Sequence, residues 1–193
     1  MVTAFDVEGT LVYIGKFHQS ANIQALLNLG LIPDETYPIP NNKGYSLQGG
    51  LRRFQKAFKI PDQNFIDFKD SFIERKLEIL HQHILQAHRE YCIVNSSTWK
   101  SLLRQELKVL ITNEDIRTID LLDDILKMHP DLVIASNGLK IGSVRHTISF
   151  GKPYDITNEV ARLIREFKVS AYCGDTDQDR LFAEKMNLTF YQA

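Results

Sequence analysis

Asp6 and Glu8 stand two residues apart just after a short apolar run at 2–5, and Asp175, Asp177 and Asp179 alternate just after another at 170–173. Ser136 and Asn137 follow a third such run at 132–135, and Lys152 precedes Pro153. Short apolar runs closed by turn residues read as buried strands of a parallel sheet. In open parallel sheets ligands bind beyond the carboxyl ends of the strands, so these polar residues are expected to converge on one crevice. Acids gathered there would repel one another unless a hard cation sat among them. An oxygen-only ligand set selects Mg2+, and a bound Mg2+ suits a phosphorylated substrate.

The elements that must position these residues alternate along the second half of the chain. Helical spacing joins Ile156, Val160, Leu163, Ile164 and Phe167, and again Leu181, Phe182 and Met186, with strands expected at 170–173 and 188–191. The pattern predicts an α/β fold, a three-layer Rossmann-like core around a parallel sheet. From 14 to 113 little reads as strand. Helices are expected over 21–29, 46–59 and 63–88, with a loop rich in Pro, Asn and Gly at 34–44; a further helix over 114–128 leads into the strand at 132. The expected organisation is a catalytic core of 1–13 and 114–193 carrying a mostly helical insertion at 14–113.

Composition narrows the function classes. The 193 residues carry 23 basic and 24 acidic side chains for a formal net charge of -1, so no global field would hold nucleic acid or an anionic membrane. Apolar residues make up 44%, as in an ordinary globular protein, and no apolar stretch approaches the roughly 18 residues that would span a bilayer. The two cysteines, Cys92 and Cys173, suggest no disulfide framework, and a cytoplasmic location is expected. No P-loop pattern occurs, and His81 and His88 lack partners at zinc-ligand spacing.

Taken together, Asp6-Val7-Glu8-Gly9-Thr10-Leu11, Ser136, Lys152-Pro153 and Gly174-Asp175-Thr176-Asp177-Gln178-Asp179 resemble, in order, the four motifs of the haloacid dehalogenase superfamily. The match covers roughly the first dozen and last sixty residues; the middle lies where that family inserts a helical cap. The resemblance implies a Mg2+-dependent phosphatase acting on a small phosphorylated metabolite. Asp6 would be the nucleophile, forming an aspartyl-phosphate, and Glu8 the general acid and base. Most of the family's phosphatases place Asp at that second position; the Asp-x-Glu-Gly-Thr pattern resembles the enolase-phosphatase branch. Ser136 would donate to a phosphoryl oxygen, with Thr10, Asn137 and Gly138 beside it, and Lys152 would neutralise charge on the nucleophile and phosphoryl group. Asp6, the Glu8 carbonyl, Asp175 and Asp179 would hold the metal.

Several blander readings compete. The run at 91–97, ending in Asn95, Ser96 and Ser97, is a rival to Ser136 as the second motif, although the cleaner strand pattern favours Ser136. Only 15 residues separate Ser136 from Lys152, little for a strand, helix and return. Asp177 suits a solvated or helix-capping role, and the Arg52, Lys56, Lys59 stripe suits a solvated face. Two further functions fit the same motifs: a phosphotransferase or mutase, which hands the phosphoryl group to another hydroxyl, and a catalytically silent module that binds a protein partner.

Overall fold

The computed structural model describes residues 1–41 and 47–193. Part of the expected loop at 34–44 and the start of the expected helix at 46 fall outside the described residues. The chain divides into two compact units, one of residues 1–13 and 94–193 and one of residues 14–93. The second boundary lies about twenty residues earlier than the sequence suggests, because 94–113 belongs to the first unit and contributes a strand at 109–111.

The first unit is built on seven strands: β1 (Val2–Phe5), β2 (Val109–Ile111), β3 (Leu132–Ala135), β4 (Gly138–Ile141), β5 (Val144–His146), β6 (Val169–Gly174) and β7 (Thr189–Gln192). Their order across the sheet is β5-β4-β3-β2-β1-β6-β7. β1 lies near the middle, parallel to β2 on one side and to β6 on the other, while β4 and β5 form an antiparallel edge. The inner strands are almost wholly buried. Ala4, Val109, Ile111, Leu132, Ile134, Tyr172 and Phe182 belong to one core, as expected of parallel strands covered on both faces.

Two elements depart from the sequence reading. β2 falls where a helical insertion was expected, and it is β1's direct neighbour. The short span between Ser136 and Lys152 holds no helix; it contains the β4–β5 hairpin, turned at Gly142 with φ +55°. A two-residue connection of this kind needs positive φ, which glycine adopts freely.

Four helices accompany the sheet: α4 (Ser96–Leu103), α5 (Ile116–Leu126), α6 (Asn158–Glu166) and α7 (Asp177–Lys185). Three begin on side-chain caps. Asp115 accepts from the Arg117 N–H, Thr157 from the Val160 N–H, and Thr176 forms a reciprocal capping box with Asp179. Asp177 is merely the first, exposed residue of α7.

The second unit is helical: α1 (Gly15–Asn28), α2 (Leu47–Ala57) and α3 (Phe65–Tyr91). Long helices need an apolar stripe against a partner. α3 supplies Phe68, Phe72, Leu80 and Ile84, and Phe54 from α2 packs edge-on to Phe72 at 5.3 Å between ring centres. Arg52, in the basic stripe, stacks on Phe65 at 3.9 Å and donates to Gln55. Both cysteines are free thiols. Among the described residues no helix is long and apolar enough to cross a membrane.

Candidate active site

Asp6 leaves the tip of β1 and is buried. Its N–H donates to the Cys173 carbonyl at 2.9 Å, which pins the end of β1 against β6. The chain then folds into a tight loop in which the Leu11 and Val12 N–H groups both donate to the Val7 carbonyl. Gly9 sits at φ +80°, and a Cβ there would fall 2.3 Å from Asp175 Oδ2. Only glycine allows the loop to lie this close to that carboxylate. Thr10, fully buried, donates from Oγ1 to Asp175 Oδ1 at 3.4 Å, and Glu8 is half-buried in the same loop.

Lys152 stands at the centre. Its buried ammonium donates to Asp6 Oδ1 at 2.8 Å, to Asp179 Oδ1 at 2.5 Å and to the Tyr172 hydroxyl at 2.5 Å. Its backbone is held at the end of β2, where the Lys152 N–H donates to Asn113 Oδ1 at 2.8 Å and Asn113 Nδ2 donates to the Lys152 carbonyl at 3.3 Å. The peptide bond to Pro153 is cis.

One ammonium faces two buried carboxylates, and their environments separate them. Burial alone would raise Asp179, but Lys152 together with the Thr176 hydroxyl and N–H holds its carboxyl below the usual value. Asp6 has fewer donors. Burial outweighs the pull of Lys152, Asp179 adds repulsion, and Asp6 is pushed up to about 6. Burial pulls Lys152 down, yet the two carboxylates overcome this and its pKa is raised, so it stays charged. Burial and the nearby carboxylates push the Cys173 thiol up to about 11, which leaves it protonated and poorly nucleophilic at neutral pH.

Asp6, Asp175 and Asp179 each offer an oxygen within 4.8 Å of the others'. This is the one grouping of acidic, His or Cys side chains among the described residues with such spacing. Three hard oxygen donors, two of them buried, fit a small hard dication, which would offset both the burial that chiefly raises Asp6 and the repulsion that Asp179 adds.

The structure therefore brings Asp6, Thr10, Lys152, Asp175 and Asp179 together. It puts Ser136, Asn137 and Gly138 to another use. Ser136 ends β3, separated from β1 by β2, and its Oγ donates to the Glu114 carbonyl at 3.0 Å. Asn137 accepts from the Ile116 N–H and donates to Asp115, closing the start of α5. A Cβ on Gly138 would meet Ile116 at 2.8 Å. In the 91–97 run, Val94 bridges Val12 and the Asn95 N–H donates to the Leu11 carbonyl.

The residues that follow the strand beside β1 are Thr112 and Asn113, which the sequence reading passed over. Thr112 is buried, and its Oγ1 accepts from the Glu114 N–H. Their local signal is a Val-Leu-Ile run closed by Thr-Asn, one residue shorter than the run that marks β3. Tyr172 was also missed, read as one more apolar strand residue.

No family model matches the sequence, and no curated protein matches it either. Solved structures do match in fold. A Lactobacillus plantarum protein described as a phosphoglycolate phosphatase superposes with a TM-score of 0.60 at 14% identity, over 98% of this chain and 84% of that one. A HAD-superfamily hydrolase of subfamily IA from Geobacter sulfurreducens gives 0.57 at 13%, over 98% and 87%. CbbY from Rhodobacter sphaeroides, solved with phosphate, gives 0.58 at 16%, over 97% and 83%. The chain has the fold of the haloacid dehalogenase superfamily.

Proposed function

We propose that this protein is a phosphatase that hydrolyses a small phosphorylated metabolite through an aspartyl-phosphate on Asp6. The observation that carries this reading is the buried 2.8 Å contact of Lys152 with Asp6, beside the carboxylates of Asp175 and Asp179. A nucleophilic carboxylate needs a fixed position and a neighbouring positive charge, and Lys152 supplies both.

In the first step Asp6 Oδ2, the oxygen not held by Lys152, attacks phosphorus in line. The Asp6 O–P bond forms, the ester P–O bond breaks, and Glu8 gives a proton to the leaving oxygen. In the second step Glu8 takes a proton from water as that water attacks phosphorus. The Asp6 O–P bond breaks, inorganic phosphate leaves and the carboxylate is restored. Thr112, at the end of the strand adjoining β1, takes the part that the sequence assigned to Ser136, donating to a phosphoryl oxygen. Mg2+ would be held by Asp6, Asp175, Asp179 and the Glu8 carbonyl, and when bound would stabilise charge on the transferring phosphoryl group.

Residues 14–93 are proposed as the cap. They leave and re-enter the first unit at adjoining points, since Val12 bridges Val94, so they can be inserted without disturbing the sheet. A cap of this kind would select the leaving group and exclude water.

A screen of sugar phosphates, nucleotides and small phosphorylated acids, with Mg2+ and with chelator, tests the reading. Release of inorganic phosphate that requires Mg2+ is expected. Phosphate recovered only on a second hydroxyl compound would mean a transferase, and silence on every compound would sink the enzymatic reading. Two variants sharpen it. Asp175→Asn should weaken Mg2+ binding, followed by calorimetry, by at least about tenfold, since one anionic oxygen ligand is replaced by a neutral one. Thr112→Val should lower kcat by roughly 10- to 100-fold, and Ser136→Ala should cost far less; the reverse order would return the second motif to Ser136.

A further inference from the structure

We propose that Tyr172 is a positioning residue for phosphoryl transfer: its hydroxyl locks the Lys152 ammonium against Asp6 and ties it to the end of β2. The basis is an accounting of protons. An ammonium has three N–H donors, and those of Lys152 have three acceptors within 2.8 Å: Asp6 Oδ1, Asp179 Oδ1 and the Tyr172 hydroxyl. Every donor is committed, so the charge has one orientation.

The Tyr172 hydroxyl is the only neutral member of that shell. It carries one proton and accepts from Lys152, so the proton goes to a second acceptor. The shorter choice is the Ile111 carbonyl at 2.8 Å, against 3.1 Å to Asp179 Oδ1. Ile111 is the last residue of β2 and Tyr172 belongs to β6, with β1 between them. One hydroxyl therefore links the carboxyl ends of strands on both sides of the strand that bears Asp6.

The ring cannot swing away to release this link. It is fully buried and packs edge-on to Phe182 at 5.0 Å between centres. Phenylalanine would keep that packing and lose only the hydroxyl. Lys152 would then have an N–H without its acceptor, and the buried Ile111 carbonyl would lose its bond from Tyr172. The ammonium would be free to tilt away from Asp6, and small misplacements of a reacting group carry large rate costs.

The test pairs kinetics with spectroscopy on the full chain. With p-nitrophenyl phosphate as the probe, Tyr172→Phe is expected to lower kcat by roughly 10- to 100-fold with KM held within about twofold. This half rests on the phosphatase reading; the other does not. In protein labelled with 15N-lysine, a three-bonded buried ammonium should exchange slowly enough to give a resolved Lys152 signal, assigned by its absence in Lys152→Met. That signal should show a cross-peak to the Tyr172 ring and should vanish in Tyr172→Phe while the backbone spectrum persists. A probe that is not hydrolysed by the wild type, with the ammonium behaving as described, would count against the phosphatase and still uphold the Lys152–Tyr172 lock. An unchanged ammonium signal and unchanged kcat in Tyr172→Phe would overturn the proposal. Should the variant fail to fold, the wild-type cross-peak decides, and its absence would equally overturn it.

Discussion

Asp6→Asn should lower phosphatase turnover by on the order of 10^4-fold, about 5 kcal/mol of transition-state stabilisation, measured as kcat on whichever ester the screen identifies. An amide nearly matches the carboxyl group in shape and can still accept from Lys152, but it does not form an acyl-phosphate. The same variant should behave oppositely in stability. Asp6 is raised from 3.8 to about 6 in the folded state. A raised carboxyl binds its proton more tightly when folded, so its contribution favours folding at low pH and is lost as pH rises from about 4 through about 6. At pH 7 in chelator the ionised carboxylate is a cost, which asparagine removes, and Asp6→Asn should melt higher than the wild type. A variant that is both inactive and less stable under those conditions would contradict the electrostatics described above.

Lys152→Met should have the largest effect on stability. The substitution leaves Asp6 and Asp179 buried with no counter-charge, and removing one partner of a buried pair costs about 3–5 kcal/mol. Denaturant unfolding in chelator measures it. Asp6 and Asp179 share the one ammonium, so the effect should be non-additive. In an Asp179→Asn background the cost of Lys152→Met should shrink by about a kilocalorie or more, because one of the two stranded charges is already gone. Equal costs in both backgrounds would mean that the pairs do not couple. Activity should fall with stability, since neither the orientation of Asp6 nor the charge beside the phosphoryl group survives.

Part of this site was legible in the sequence for a physical reason. β1 and β6 are apolar runs followed by acids, and in a parallel sheet the residues after the strands face the edge where ligands bind. Asp6 and Asp175 stand out on that pattern, and Lys152 and Asp179 on their resemblance to the later haloacid dehalogenase motifs. Thr112 does not, because β2 is three residues long. A strand so short has no periodicity of its own; it is fixed by pairing with β1 and β3, which are far away in sequence. The preference for Ser136 over the 91–97 run followed from the cleaner strand pattern at 132–135 and the helix leading into it, whereas sheet order puts β2 next to β1, which carries Asp6 at its end. The β4–β5 hairpin had a local signal in Gly142-Ser143, obscured by the expectation that strand and helix alternate throughout. Tyr172 could not be distinguished from a core aromatic, since its role depends on where Lys152, twenty residues earlier, sends its ammonium.

The most direct test of the account is reductive trapping during turnover. Borohydride reduces an acyl-phosphate to an alcohol, so wild-type protein quenched with it while hydrolysing substrate should carry homoserine at position 6, identified by peptide mass spectrometry. The account predicts that conversion at Asp6 alone, dependent on substrate. Active turnover with position 6 unmodified, or with the alcohol at another acidic residue, would contradict it.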